Sequence, residues 1–386
     1  MSHFIFLDIS VVVIASAFIA WISLYIKQPI VVGYILAGIL MGPWGFKVIH
    51  DIDFITNTSN IGVTLLLFLA GLTLEPKRIP TLLKKTFFLT VVTSGIFGIT
   101  FYFILMLFSF STIESILLSV SFIFSSTILV LKLLPTIALH QKHMGALAIA
   151  VLLVQDIIAV IALIYIKSGA NNNILDISLI FVYGLILIVI SVLMERFLVR
   201  FIIKKIQYYQ ELLYLFTLAW CFAFALVAEQ IGLGHEIGAF VAGLSLARNP
   251  VSPVLFEGLR FFRDFFLVMF FFSLGALLDF SVISIIILPV LVIAAVILIL
   301  KPVVFYAGFK ISGEKKEMSR EMGFRLAQAS EFSLILAFTS FNSSLIGKFA
   351  FQTVQFATII TMIISSYIVV VFFPTPLAAD IHLKQD

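Results

Sequence analysis

Apolar residues follow one another along this chain in thirteen long runs, and polar residues gather in the short stretches between them. A run of about 17–25 apolar residues has the length of a helix that crosses the hydrocarbon core of a bilayer. The pattern therefore predicts thirteen membrane-spanning helices, numbered spans 1 to 13. The predicted spans are Phe4–Ile26, Pro29–Met41, Asn60–Leu74, Phe87–Phe108, Ile113–Leu134, Met144–Ile166, Ile174–Met194, Leu212–Ala228, Glu236–Ala247, Asp264–Leu278, Val282–Phe309, Arg325–Phe341 and Gln352–Phe373.

Composition supports a membrane protein and narrows its chemistry. The 386 residues are 62% hydrophobic and 11% charged, with a mean hydropathy of +1.20. Soluble domains carry about 25% charged residues, so a soluble globular core and a disordered chain are both excluded. The single cysteine, Cys221, lies in an apolar run, and the six histidines form no spaced ligand cluster. No disulfide framework, Cys-based metal site or cofactor is therefore expected.

Lysine and arginine are distributed unevenly over the loops between the spans. Of the 24 Lys and Arg residues, twenty lie in one set of alternate loops, three lie in the opposite set, and Lys301 lies inside span 11. Positively charged loops stay on the cytoplasmic side of a membrane. The asymmetry therefore predicts an outside N-terminus and a cytoplasmic C-terminus, in a multi-pass protein of the cell membrane (the inner membrane, in a bacterium).

Asp156 is the most informative polar residue, because it interrupts the long apolar run of span 6. A carboxylate at the centre of a bilayer costs about 2.5–3.5 kcal/mol on insertion scales. Ionisable residues at that depth are rare, and they usually mark an ion pathway or a proton relay. Asp156 is therefore predicted to take up a proton or a cation partway across the membrane.

Two halves of the chain resemble each other at a constant offset of about 204–205 residues. The matching stretches are Val32–Gly38 with Ile237–Gly243, Phe68–Glu75 with Phe272–Asp279, and Ser125–Thr127 with Ala329–Glu331. Each pair is separated by seven spans, an odd number, so the two copies cross the membrane in opposite directions. Such an inverted-topology repeat is typical of secondary transporters. Chance similarity of Gly- and Ala-rich helices is the alternative, and the shared offset argues against it.

The repeat also indicates where an ion would bind. Transporters of this kind bind substrate near the bilayer midplane, where paired helices are broken. Polar residues at equivalent positions of spans 5 and 12 mark the predicted breaks; they are Ser125, Ser126, Thr127, Gln328, Ser330 and Glu331. Freed backbone carbonyls there could coordinate a cation, with half-helix termini offsetting its charge. The alternative is that these hydroxyls bond back to their own helix or pack between helices.

At these residues the chain resembles a Kef-type member of the monovalent cation:proton antiporter-2 family. The matching motifs are Gly33–Pro43, Phe68–Leu72, Ser125–Thr127, Gln155-Asp156, Gly238–Gly243 and Leu326–Phe332. The resemblance implies an all-α fold of thirteen helices with crossed, discontinuous spans 5 and 12, in a homodimer. It also implies five segments: a dimerisation bundle from residues 1–80 and 207–280, an ion-translocating core from 81–170 and 281–386, and a linker helix from 171–206.

Two features set the chain apart within that family. Many sodium-type relatives carry Asp-Asp or Asn-Asp where this chain has Gln155-Asp156, and the Gln-Asp pair resembles the potassium-type Kef subgroup. Kef proteins also carry a cytoplasmic nucleotide-binding domain with a Gly-rich fingerprint. Nothing in this sequence matches that fingerprint, so gating by such a domain is not expected from this chain.

The residue types at the predicted midplane suggest a mechanism. Burial disfavours the charged form of a carboxylate, so the core is expected to move only when Asp156 carries either a proton or a cation. Hard monovalent cations prefer oxygen. Gln155 could supply an amide oxygen, and Ser125, Ser126 and Thr127 could supply hydroxyl or backbone oxygens. The partners are then a monovalent cation (K⁺ or Na⁺), protons and the lipid bilayer.

Lys301 has two interpretations from sequence. It could extend to the cytoplasmic interface at the end of a span that finishes at Leu300. The apolar stretch Pro302–Phe309 argues instead for a longer span with Lys301 inside it, where some family relatives place a lysine that pairs with the ion-binding carboxylate. Because the Gln-Asp pair offers one carboxylate where electrogenic relatives often have two, we expect a one-for-one, electroneutral exchange.

Other function classes fit the sequence less well. A cation channel without proton coupling would share the buried polar residues, but no Gly-rich run of filter-like carbonyls is present. A transporter of organic anions would need basic groups in the cavity, and only Lys301 qualifies. A membrane sensor would need a sizeable soluble domain. The sequence contains no nucleophile–base constellation that would indicate an enzyme, and no nucleic-acid partner is expected.

Overall fold

The computed structural model describes residues 2–26, 28, 30–49, 52–73, 79–134, 143–168 and 174–375. Within them, every predicted span coincides with a helix or with a pair of helices. The first seven are Ser2–Tyr25, Ile30–Met41, Ile52–Thr73, Ile79–Leu107, Thr112–Ile123 with Thr127–Leu133 (5a and 5b), His143–Ser168, and Ile174–Met194 continued by a π-helical turn Glu195–Val199 and by Arg200–Ile206. The others are Gln210–Gln230, His235–Leu246, Ser252–Ala276, a 3₁₀ turn Phe280–Val282 with Ile283–Ile311, Lys316–Arg325 with Glu331–Asn342 (12a and 12b), and Lys348–Phe372.

Five spans are longer than their apolar runs predict. Span 3 begins at Ile52, span 4 at Ile79, span 10 at Ser252 and span 12 at Lys316, and span 7 continues to Ile206, where the sequence predicted loops. In spans 10 and 12 the added turns carry lysine and arginine, which hydropathy assigns to loops. A helix continues past the apolar core because its backbone hydrogen bonds do not depend on side-chain polarity.

Six of the described helices have both the length and the apolar character to cross a membrane on their own, and spans 2 and 9 are short apolar helices of 12 residues each. The short spans and the broken spans pack against neighbouring helices, which bury much of their surface. The chain is an all-α, polytopic membrane protein.

The helices contact one another in two groups. Spans 1, 2, 3, 8, 9 and 10 pack together, and spans 4, 5, 6, 11, 12 and 13 pack together. Span 7 contacts span 6 in one group and span 9 in the other. The residues around Asp156 therefore belong to the second group.

Backbone contacts in the first group show the inverted repeat directly. Where spans 2 and 10 cross, a side chain on Gly38 would collide with the carbonyl oxygen of Phe272, and one on Gly275 with that of Ile35. Only glycine permits helices to approach so closely.

The same contact recurs where spans 3 and 9 cross. There Gly71 lies against the carbonyl of Phe240, and Gly243 lies against the carbonyl of Phe68. A shift of 204 or 205 residues converts each contact of one crossing into a contact of the other. The same shift of 204 converts the ends of span 4 into those of Ile283–Ile311. The two halves are therefore related by a pseudo-two-fold axis, as the sequence repeat predicts.

We expect Gly243→Ala to destabilise the protein by about 1–3 kcal/mol, the usual cost of overpacking a well-packed site. The new methyl group would meet backbone, which cannot rotate away. Gly95→Ala is the matched control, because no atom lies near the added carbon. Thermal unfolding of both variants in detergent provides the measurement, and equal midpoints would contradict the tight crossing.

Candidate cation and proton site

The breaks in spans 5 and 12 are built by serine residues. Residues 124–126 and 326–330 leave the helical path. Ser126 Oγ accepts a hydrogen bond from the Leu129 N–H at 3.1 Å, and Ser330 Oγ accepts one from the Phe332 N–H at 3.1 Å. Such caps satisfy the free N–H groups with which half-helices 5b and 12b begin. The chain therefore breaks both helices without glycine or proline at either break.

The two breaks are joined to each other. Ser125 Oγ donates to the carbonyl oxygen of Leu326 at 2.8 Å, from one break to the start of the other. Ser333 Oγ donates to the carbonyl oxygen of Ser121 at 2.6 Å, linking half-helix 12b to half-helix 5a. The predicted crossing of discontinuous helices is thus confirmed. The side-chain protons of both serines are used to hold the crossing together.

Gln155 lies beside the break in span 5 and bonds to both of its sides. Its Oε1 accepts the Ser125 N–H at 3.0 Å, and its Nε2 donates to the Ile123 carbonyl at 3.3 Å. In the other repeat Thr361 has the equivalent place, because its Oγ1 accepts the Ala329 N–H at 3.2 Å. In this conformation the amide of Gln155 therefore supports the break.

Asp156 points to the beginning of half-helix 5b. Its side chain is 6% exposed, and Thr127 Oγ1 lies 3.5 Å from its Oδ1, the outer limit of a hydrogen bond. Glu331, which the repeat places opposite Thr127, is close enough to repel a negative charge on Asp156. Half-helices 5b and 12b both begin beside this carboxylate, and helix N-termini favour negative charge. The site thus combines two carboxylates, a threonine hydroxyl and two positive helix ends.

Lys301 lies at the two breaks, where half-helices 5a and 12a end. Its side chain is 0% exposed, and its ammonium donates to the carbonyl oxygens of Phe124 at 2.6 Å and Gln328 at 3.1 Å. The interpretation in which Lys301 extends to the interface is therefore wrong, because its nitrogen is held between the two breaks. A cation there compensates the negative C-terminal ends of half-helices 5a and 12a.

The remaining predicted residues also lie at the crossing. Gln328 Oε1 accepts the hydroxyl of Ser365 at 3.1 Å, and Ser330 Oγ lies 3.3 Å from Glu331 Oε2. Thr361 and Ser365 of span 13 also lie at the crossing and were not predicted from the sequence. The internal repeat contained a signal for Thr361, since the shift of Gln155 by 204 or 205 residues ends within two residues of it.

This arrangement can do one kind of chemistry well. A carboxylate surrounded by oxygen atoms, at a place where two helices are interrupted, can hold either a proton or a dehydrated cation. The sequence matches the transmembrane part of the sodium/hydrogen exchanger family over residues 13–375. The chain belongs to the sodium/hydrogen exchanger family. It is thus a membrane transporter of the cation:proton antiporter class.

Two known proteins are similar to this chain over most of its length. The protein named iron transporter MagA, from Paramagnetospirillum magneticum (strain ATCC 700264 / AMB-1), is 27% identical over 365 residues, which are 93% of this chain and 83% of MagA. The structure of the sodium proton antiporter MjNhaP1 from Methanocaldococcus jannaschii at pH 8 has a TM-score of 0.69 at 15% identity and covers 94% of both chains. The antiporter fold predicted from sequence is therefore confirmed.

Proposed function

We propose that this exchanger moves a monovalent cation, potassium in preference to sodium, against protons by alternating access. The burial of Asp156 where two half-helices begin carries the proposal. A bare carboxylate crosses an apolar boundary at high cost. The core therefore moves when Asp156 holds a proton or a cation and rests when it holds neither, which couples the two fluxes.

Potassium is favoured because Gln155-Asp156 resembles the Kef-type pair. The likeness to a protein named iron transporter makes a divalent cation the second candidate. The described residues contain no group of three or more His, Cys, Asp or Glu able to hold a metal ion. Soft and borderline metals favour the nitrogen of histidine and the sulfur of cysteine, whereas hard cations favour oxygen ligands. The oxygen atoms around Asp156 therefore favour a hard monovalent cation.

The test is proton flux in proteoliposomes, reported by a pH-sensitive dye, with K⁺, Na⁺, Li⁺ and Fe²⁺ gradients applied in turn. The proposal expects proton efflux driven by inward K⁺ and, more weakly, by Na⁺. Cation uptake with no proton movement would instead identify a channel. Proton movement driven by Fe²⁺ alone would replace the monovalent cation with a divalent one.

Exchange is expected to be electroneutral, one cation for one proton. A cycle that moves one net charge gains or loses about 2.3 kcal/mol per 100 mV, roughly a fifty-fold bias. The measurement compares cation-driven proton flux at a membrane potential of zero with the flux at about 100 mV. A steep response to potential would overturn the one-for-one stoichiometry.

We further propose that the group of spans 1–3 and 8–10 forms the interface of a homodimer, and that the other group is the moving core.

We also propose that the N-terminus is outside. Ser312 and Ser343 test this orientation, because both are exposed and they lie in the loops before and after span 12. In a Cys221→Ala background, Ser343→Cys is expected to react with an impermeant thiol reagent from outside, whereas Ser312→Cys is not. The reverse pattern would refute the orientation.

A further inference from the structure

Span 13 carries a buried polar stripe, made of Gln352, Gln355, Thr358, Thr361 and Ser365. Successive members are three or four residues apart, so they form one continuous band, which turns about halfway round the helix between Gln352 and Thr361. All five are at most 2% exposed. Polar groups in a membrane helix are expensive and face a partner or an aqueous cavity. Gln352, Thr361 and Ser365 have partners on neighbouring segments, so the members that need a further explanation are Gln355 and Thr358.

Two members of the stripe have an oxygen with no hydrogen-bond partner among the described residues. They are Oε1 of Gln355 and Oγ1 of Thr358, one helical turn apart. Thr353 on the same helix shows the usual solution, since its hydroxyl donates to the carbonyl of Phe349 at 2.8 Å. Buried polar groups are normally satisfied. The two adjacent oxygens can therefore accept a hydrogen bond from water or coordinate a cation.

One end of the stripe leads into the cation and proton site. Thr361 accepts the Ala329 N–H inside the break of span 12, and Ser365 donates to Gln328. Ala329 lies two residues before Glu331, the carboxylate that repels Asp156. A cation that follows the stripe would therefore arrive beside the buried carboxylates.

The other end of the stripe is closed by the C-terminal end of span 10 and the loop that follows it. Gln352 Oε1 accepts the Asp279 N–H at 3.0 Å, and Gln352 Nε2 donates to the Leu277 carbonyl at 3.0 Å. One turn deeper, Gln355 Nε2 donates to the Leu274 carbonyl at 3.4 Å. The bonds to Leu277 and Leu274 join span 13 to span 10 of the other helix group, so they would have to break if the groups moved apart.

An ion pair covers the mouth of the closed stripe. Lys348, the first residue of span 13, forms an ion pair with Asp279. Hydrogen bonds from Lys348 and Ser281 lower the pKa of Asp279 to about 2. The pair therefore stays charged across the neutral pH range, and protonation of Asp279 does not open this end.

We propose that the polar stripe of span 13 lines the pathway by which a hydrated monovalent cation passes between the Lys348 end of the membrane and Asp156. In the described conformation the bonds from Gln352 and Gln355 to the carbonyls of Leu277 and Leu274, at the end of span 10, close it. In the opposite conformation, water and the cation meet the free oxygens of Gln355 and Thr358. This inference rests on the proposed function and adds the route to it.

Cysteine accessibility tests the route. In a Cys221→Ala background, which removes the single native cysteine, Thr358→Cys is compared with Ala357→Cys, its fully buried neighbour on another face. Both are treated with a cationic, membrane-impermeant methanethiosulfonate from each side, with and without Gln352→Leu. Losing the Gln352 bond to Leu277 is expected to shift the equilibrium toward the open form by up to about tenfold.

Modification of Thr358→Cys from the Lys348 side alone, accelerated by Gln352→Leu while Ala357→Cys stays unmodified, is the expected result. A Thr358→Cys rate equal to that of Ala357→Cys in both backgrounds, or modification from the opposite side alone, would overturn the route. Labelling requires no transport. The route therefore fails by itself if these cysteines do not react while Asp156→Asn abolishes exchange, and the proposed function fails if Asp156→Asn still exchanges cations.

Discussion

Asp156→Asn is expected to abolish cation:proton exchange, by about 100-fold or more, because the amide cannot hold a proton or balance a cation. Asparagine has nearly the same shape, so packing around Thr127 should be retained. Replacing the buried carboxylate with a neutral amide should leave thermal stability unchanged or raise it, because burying a charged group is costly. The measurement is cation-driven proton flux in liposomes together with a thermal unfolding curve.

Asp8→Asn is the matched control for this prediction. Asp8 is also a fully buried aspartate in a membrane span, but it lies in span 1, in the other helix group. Its replacement is expected to leave coupled exchange in place. Full exchange by a well-folded Asp156→Asn protein, or equal loss in both variants, would show that Asp156 is not the shared site.

Lys301→Met is expected to lower stability more than any other single change discussed above. Methionine fills the space of the side chain but cannot donate to the carbonyls of Phe124 and Gln328. Each buried acceptor that loses its donor costs about 1–3 kcal/mol. The negative ends of half-helices 5a and 12a would also lose their compensating cation. A large fall in the thermal midpoint is the expected result.

Two further variants make the Lys301 test specific. Lys301→Gln should recover part of the lost stability, because its amide can still donate to a carbonyl. Lys310→Met removes an exposed lysine near the end of the same helix and should change stability by about 0.5 kcal/mol or less. If Lys301→Met unfolds at the same temperature as Lys310→Met, the ammonium does not hold the crossing together.

Sequence alone predicts the spans and both breaks, since apolar runs, the internal repeat and clustered hydroxyls are all local signals. Half-helix 12a was missed because Lys316–Arg325 is mostly polar, and its position depends on distant partners. Arg325, for example, donates to the carbonyls of Leu133 at 2.8 Å and Pro374 at 2.6 Å. No periodicity within ten residues could indicate such contacts.

The partners of the buried side chains were equally hidden. Lys301 and the Phe124 carbonyl are 177 positions apart in the chain, and a lysine in an apolar run fits an interfacial position as well as a buried one. Gln155 shows a subtler limit. Its neighbour Asp156 suggested a shared role as cation ligands, whereas adjacent residues on a helix point in different directions. The side chain of Gln155 therefore contacts the break while Asp156 faces the start of half-helix 5b.

The paired glycine crossings have a mechanical consequence. Backbone in direct contact with backbone at two symmetry-related crossings leaves no flexible side chains to absorb sliding. Spans 2 and 10, and spans 3 and 9, must therefore move as one rigid frame. In the movement proposed above, deformation therefore falls at the seam with the other helix group, where Gln352 and Gln355 of span 13 bond to the carbonyls of Leu277 and Leu274. A substitution in the frame should change how much protein survives heating, while one at the seam should change how fast the protein turns over.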